Sequence, residues 1–95
     1  MAKHVVELSP RAAEDLEALS PDVAARILKK LRTLEDAPFP RGDTVKILKG
    51  FDVPTYRLRI GDYRAVYRIR EELLLVVVLR IIHRSELERA LRDLA

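Results

Sequence analysis

Residues 55–70 read TYRLRIGDYRAVYRIR, with five arginines and a single acid, Asp62. Two runs, Tyr56 to Ile60 and Tyr63 to Arg70, flank Gly61-Asp62, a two-residue loop with glycine first. That arrangement predicts a β-hairpin closed by a type II′ turn. Strand side chains alternate between faces, so Tyr56, Leu58 and Ile60 share one face with Tyr63, Ala65, Tyr67 and Ile69. Arg57, Arg59, Arg64, Val66, Arg68 and Arg70 share the other. The tight turn sets Ile60 opposite Tyr63 and therefore Arg59 opposite Arg64, with Arg57 diagonal to Arg64 and Arg68. Directly opposed like charges cost roughly 0.2–1 kcal/mol, and a repeated row of them is a poor choice for stability alone. An anion is expected to relieve the repulsion, and guanidinium forks are shaped to grip phosphate bidentately. A lattice of structural salt bridges is the competing reading, but only Asp62 stands nearby in sequence.

Working outward, Leu73 to Ile82 is apolar at almost every position and rich in β-branched residues, which predicts a strand covered on both faces. With a two-residue turn at Glu71-Glu72, His83 falls on the face of Arg64; one extra loop residue places Arg84 there instead. Ser85-Glu86-Leu87-Glu88 matches the capping-box pattern, with Leu87, Ala90, Leu91 and Leu94 striping a last helix. His83 and Arg84 then flank the positive end of that helix, where phosphate binds readily. Toward the N-terminus, His4 to Leu8 is a short β-rich run. Ser9-Pro10 and Ser20-Pro21 are N-cap and first-turn pairs that start two helices. The first is expected over about Pro10 to Leu19, with Arg11, Glu14, Asp15 and Glu17 mostly outside. The second carries Val23, Ala24, Ile27, Leu28, Leu31 and Leu34 at helical spacing and ends at Pro38 and Pro40. After the loop APFPRGD, Val45 to Leu48 forms a further short strand. The order predicts an α+β fold, a small mostly antiparallel sheet with an N-terminal helical hairpin and a C-terminal helix.

The 95 residues suit one domain, since a chain of this size buries roughly 60–65% of its unfolded surface and has no material for a second core. Net charge is +3, but its distribution is uneven: from Arg41 to Arg70 eight Lys or Arg face three Asp, while the remaining residues hold ten basic and twelve acidic groups. A basic third on a nearly neutral remainder is the footprint of a protein that meets a polyanion. There is no cysteine, which excludes thiolate metal sites and thiol nucleophiles. MAKHVVELSP lacks the apolar core of a signal peptide, and no apolar run is long enough to cross a bilayer, so a soluble cytoplasmic protein is expected. No Ser/His/Asp grouping, phosphate-cradling glycine loop or metal-ligand cluster is visible, so no cofactor is expected.

These residues resemble the RelE/ParE superfamily of toxin–antitoxin toxins over nearly the whole chain. The likeness rests on the first strand, the helical hairpin, a basic segment ending ILKG, the hairpin YRLRIGDYRAVYRI, the strand LLLVVVLRI and HR before the last helix. The resemblance implies a single toxin domain over residues 1–95. In the RelE branch the activity is ribosome-dependent cleavage of mRNA in the A site by attack of the RNA 2′-hydroxyl on the adjacent phosphate, which inhibits translation. It carries catalytic function onto Arg57 and Arg59, where the family often has lysine, and onto Arg64 and Arg84, with Lys46, Lys49 and Arg68 as RNA contacts. Many RelE-type nucleases carry a tyrosine a few residues after the terminal arginine, and Ser85 to Ala95 contains none. His83 is the default general base in its place, since unperturbed imidazole titrates near ~6.5. The implied partners are mRNA on the ribosome and a cognate antitoxin, in a hetero-oligomer, whose acidic or amphipathic segment covers the basic face or an apolar groove near the last helix. Two further readings are a ParE-like inhibitor of DNA gyrase and a noncatalytic RNA-binding module.

Overall fold

In the computed structural model, which describes residues 3–94, the chain runs β1 (Val5–Leu8), α1 (Pro10–Glu17), α2 (Pro21–Leu31), β2 (Val45–Leu48), β3 (Thr55–Ile60), β4 (Tyr63–Arg70), β5 (Leu75–His83) and α3 (Leu87–Leu94). The five strands form one sheet in the order β1-β5-β4-β3-β2, with β1 parallel to β5 and every other pair antiparallel. The α+β architecture read from the sequence is the one observed.

Both helix starts follow from serine followed by proline. The Ser9 hydroxyl accepts the Ala12 N–H at 3.1 Å and Ser20 accepts the Val23 N–H at 3.4 Å, while each proline sits where no N–H is needed. α2 ends well before Pro38. A 3₁₀ turn over Arg32–Glu35 follows it, with the Thr33 hydroxyl donating to the Lys30 carbonyl at 2.6 Å, a local bond that competes with continuing the helix. The apolar stripes of α1 and α2 lie on the sheet. Ala12, Leu16, Ile27 and Leu31 pack against Val45, Leu58, Ala65, Tyr67, Val76 and Val78, and the Tyr67 hydroxyl donates to the Pro38 carbonyl at 2.7 Å. α3 takes the opposite face, where Ala90, Leu87, Leu91 and Leu94 cover Val66 and Ile82. Strand β5 is thus buried on both sides, as its continuous apolar run requires.

The hairpin register is the expected one: Ile60 pairs with Tyr63 and Arg59 with Arg64, and Gly61 takes φ +57° while Asp62 keeps a negative φ, as a type II′ turn needs. The β4–β5 connection departs from expectation. A 3₁₀ turn at Glu71–Leu73 and Leu74 in the left-handed region (φ +48°) make it a four-residue loop, so β5 begins at Leu75. A β-bulge then intervenes, because Tyr67 pairs with Val78 but Val66 pairs with Arg80, leaving Leu79 as an extra residue. Its position has a physical cause. β1 ends at Leu8, opposite Val78, and α1 takes over the exposed edge of β5: Ser9 Oγ donates to the Leu79 carbonyl at 3.0 Å, and Asp15 Oδ2 accepts the Ile81 N–H at 2.8 Å. Asp15, expected outside, is instead nearly buried and pairs bidentately with Arg80 at 2.9 and 3.3 Å.

Candidate nucleic-acid interface

Loop and bulge together shift β5 by an odd number of residues relative to a two-residue turn, and this decides which side chain joins the arginine face. Ile82 pairs with Arg64 and His83 with Tyr63, so Arg84, two residues beyond Ile82, comes to the Arg64 side. The Arg84 backbone N–H donates to the Asp62 carbonyl at 2.7 Å and its guanidinium lies 3.5 Å from the Asp62 carboxylate, which ties it to the hairpin turn. Arg57, Arg59, Arg64 and Arg84 therefore gather around one end of the sheet, with Lys46 opposite Arg57 on β2.

The arginines are held in different ways. Arg64 Nη1 donates to the carbonyls of Gly61 and Tyr63 at 2.8 and 2.9 Å, folding the side chain over its own turn. Arg57 Nη1 donates to the Asp43 carbonyl at 2.7 Å, while Arg59 is exposed. Burial lowers the pKa of Arg64, and the charges of Arg57, Arg59 and Arg84 lower it further, with Asp62 only partly opposing them. The guanidinium thus sits in an unneutralised positive field. Asp43 carries the other nearby carboxylate; its pKa is depressed, first by the hydrogen bond and charge of Lys46 at 2.9 Å and to a lesser degree by Arg59 and Arg57.

The remaining expected site residues lie elsewhere. Lys49 is exposed just beyond the end of β2. Arg68 shares the arginine face by alternation, yet Val66 under α3 lies between it and Arg64. Its Nε donates to Thr55 Oγ1 at 3.0 Å and its guanidinium lies 5.9 Å from the centre of the Phe51 ring. His83, expected on the Arg64 face if the turn had two residues, is on the other face, edge-on to Tyr63 at 5.5 Å. Its Nδ1 accepts the Ser85 N–H at 3.2 Å and lies 2.8 Å from Ser85 Oγ, so the imidazole caps the 3₁₀ turn Arg84–Glu86. Ser85 consequently lies inside that turn rather than capping a helix, and α3 begins at Leu87.

Sequence reading passed over α2. Its Arg26, Lys29 and Lys30 line an open cleft of about 630 Å³ whose far wall includes Arg59. The spacing of three cations at i, i+3 and i+4 in ARILKKLR was the available signal, and it reads equally as a solvated helix face. Among the described residues no His/Cys/Asp/Glu group could hold a metal, and no helix is long and apolar enough to cross a membrane.

A family model described as ParE toxin of type II toxin-antitoxin system, parDE, matches residues 6–88. Toxin RelG of Mycobacterium tuberculosis is 32% identical over 87 residues, covering 90% of this chain and 97% of the relative. Among solved structures, the toxin–antitoxin complex RelBE2 from Mycobacterium tuberculosis superposes with a TM-score of 0.77 at 31% identity, over 87% of this chain and 93% of that one. The archaeal RelE–RelB complex from Pyrococcus horikoshii superposes with a TM-score of 0.71 at 28% identity, over 85% and 94% of the two chains.

Proposed function

The chain belongs to the ParE family of toxins from type II toxin–antitoxin systems, within the RelE/ParE superfamily, and we propose that it inhibits translation by cleaving mRNA in the ribosomal A site. The observation that carries this reading is the direct pairing of Arg59 with Arg64, with Arg57 and Arg84 close by. Four arginines grouped at one end of the sheet, of which only Arg84 is paired with a carboxylate among the described residues, form a receptor for a phosphate whose charge is about to increase.

In the proposed reaction the RNA 2′-oxygen bonds to the adjacent phosphorus as the bond from phosphorus to the 5′-oxygen breaks. The products are a 2′,3′-cyclic phosphate and a 5′-hydroxyl, and the 2′-hydroxyl proton is returned through solvent to the leaving oxygen. The arginines orient the strand and stabilise the phosphorane, but they do not take the proton, because arginine stays protonated below a pKa of ~12. Among the described residues the arginine face presents no imidazole or phenol. Rate enhancement on this account comes from positioning and preorganised charge.

His83 acts through Arg84. By accepting the Ser85 N–H it fixes the turn that directs Arg84 toward Asp62 and Arg64. His83→Asn, which retains a short acceptor suited to capping, is expected to keep wild-type kcat and the wild-type pH profile. His83→Ala loses a cap worth about 1 kcal/mol and is expected to lower kcat by up to about fivefold. A folded His83→Asn protein without cleavage would restore the imidazole as general base.

A second reading, inhibition of DNA gyrase, is favoured by the missing tyrosine after Arg84. Induction in growing cells separates the two. Gyrase poisoning leaves DNA breaks and an SOS response, whereas mRNA cleavage leaves truncated transcripts with intact chromosomes. The solved neighbours include toxin–antitoxin complexes, and an antitoxin partner is proposed here as well, its acidic or amphipathic segment covering the arginine face or the α3 surface.

A further inference from the structure

We infer that the cleft between α2 and β3 is a second phosphate subsite, which holds the backbone of the single-stranded RNA where it leaves the arginine cluster. The inference rests on the RNA reading above and extends it to residues outside the hairpin. Arg26, Lys29 and Lys30 come from α2 on one face of the sheet, and Arg59 borders the cleft from the end of β3 while pairing with Arg64 on the other, so the cleft meets the arginine face around the hairpin end of the sheet. None of these four side chains takes part in an ion pair among the described residues. The single carboxylate lining the cleft, Asp43, is held by Lys46 at 2.9 Å. Arg41, outside the lining, donates from Nη2 to the Thr33 hydroxyl at 3.4 Å.

A structural explanation covers part of this cluster. Lys29 and Lys30 occupy the last turn of α2, where cations complement the helix dipole. Arg26 lies a turn earlier and Arg59 is on a strand, so the dipole accounts for neither. Two features select a polyanionic strand over a small isolated anion: the cleft is open, and Arg59 borders both it and the proposed cleavage site. The groove lies between one helix and a strand end and is walled by Ile60 and Gly61, a shape suited to one strand.

The test uses an uncleavable 2′-O-methyl single-stranded RNA, with its Kd measured by fluorescence anisotropy between 50 and 200 mM salt. Arg26→Gln/Lys30→Gln is compared with Lys3→Gln/Arg70→Gln, which removes the same charge from residues paired with Asp36 and Glu72. Arg26 is exposed and Lys30 half-buried, so the fold is expected to survive, and circular dichroism checks it. The subsite predicts a salt slope shallower by about 1.4, at about 0.7 per lost contact to a single strand, and roughly tenfold weaker binding at low salt for the cleft variant only. Cleavage on programmed ribosomes would show a raised KM with kcat unchanged. Equal slopes in wild type and cleft variant, equal losses in both variants, or tighter binding of duplex than of single strand would overturn it. If wild type binds with the expected slope but cleaves nothing, the nuclease reading fails and the subsite stands; if it cleaves and the cleft variant binds normally, the reverse holds.

Discussion

Arg64→Ala is expected to reduce mRNA cleavage by about a hundred- to a thousandfold while the protein stays folded, the loss typical of removing one preorganised donor from a developing oxyanion. Arg64 is the member of the cluster surrounded by the others: Arg59 pairs with it directly, Arg57 lies diagonally, and Arg84 approaches from β5. Its guanidinium is already held by two carbonyls, so little ordering remains when substrate arrives. The fold should tolerate the change, because the hydrogen bonds lost are to the carbonyls of Gly61 and Tyr63 beside the exposed turn and the substitution also removes like-charge repulsion across the hairpin. Cleavage is read on programmed ribosomes and folding by thermal denaturation. Undiminished cleavage by the folded variant would remove the arginine cluster from the mechanism.

Asp15→Ala carries the largest expected effect on stability, a loss of about 3–5 kcal/mol. The side chain holds the Arg80 guanidinium bidentately and also accepts the Ile81 N–H, where α1 replaces β1 as the neighbour of β5. Truncation strands a nearly buried cation and a backbone donor together. For a domain whose whole stability is about 5–15 kcal/mol, the melting midpoint should fall by more than about 10 °C. Asp15→Asn, which keeps an acceptor for Ile81 but no charge for Arg80, should fall between. A midpoint within about 3 °C of wild type for Asp15→Ala would show that the pair does not hold α1 to the bulge.

The hairpin was legible because its register is local: Gly61-Asp62 fixes it, and every facing pair follows. The approach of β5 was not, since its phase depends on Leu74 adopting a left-handed conformation and on a bulge placed where β1 stops. No local pattern encodes the end of a neighbouring strand. The choice between His83 and Arg84 accordingly stayed open in sequence and closed only with the register. Val66 offered a weaker signal, since an apolar residue in phase with arginines implies a cover for that face, which α3 supplies. Asp15 appeared as one acid among several on an amphipathic helix; its role arises from a contact between residues 65 apart in sequence. The α2 cations were equally visible, but only the placement of α2 beside the end of β3 brings them next to Arg59.

The most direct test of the central claim is end-mapping of a defined mRNA incubated with purified toxin, either free or on ribosomes with an empty A site. Breaks confined to the A-site codon of ribosome-bound message are expected, with 2′,3′-cyclic phosphate and 5′-hydroxyl ends, reduced at least about a hundredfold by Arg64→Ala. Intact message on those ribosomes, at toxin concentrations that arrest growth and break DNA in cells, would contradict it.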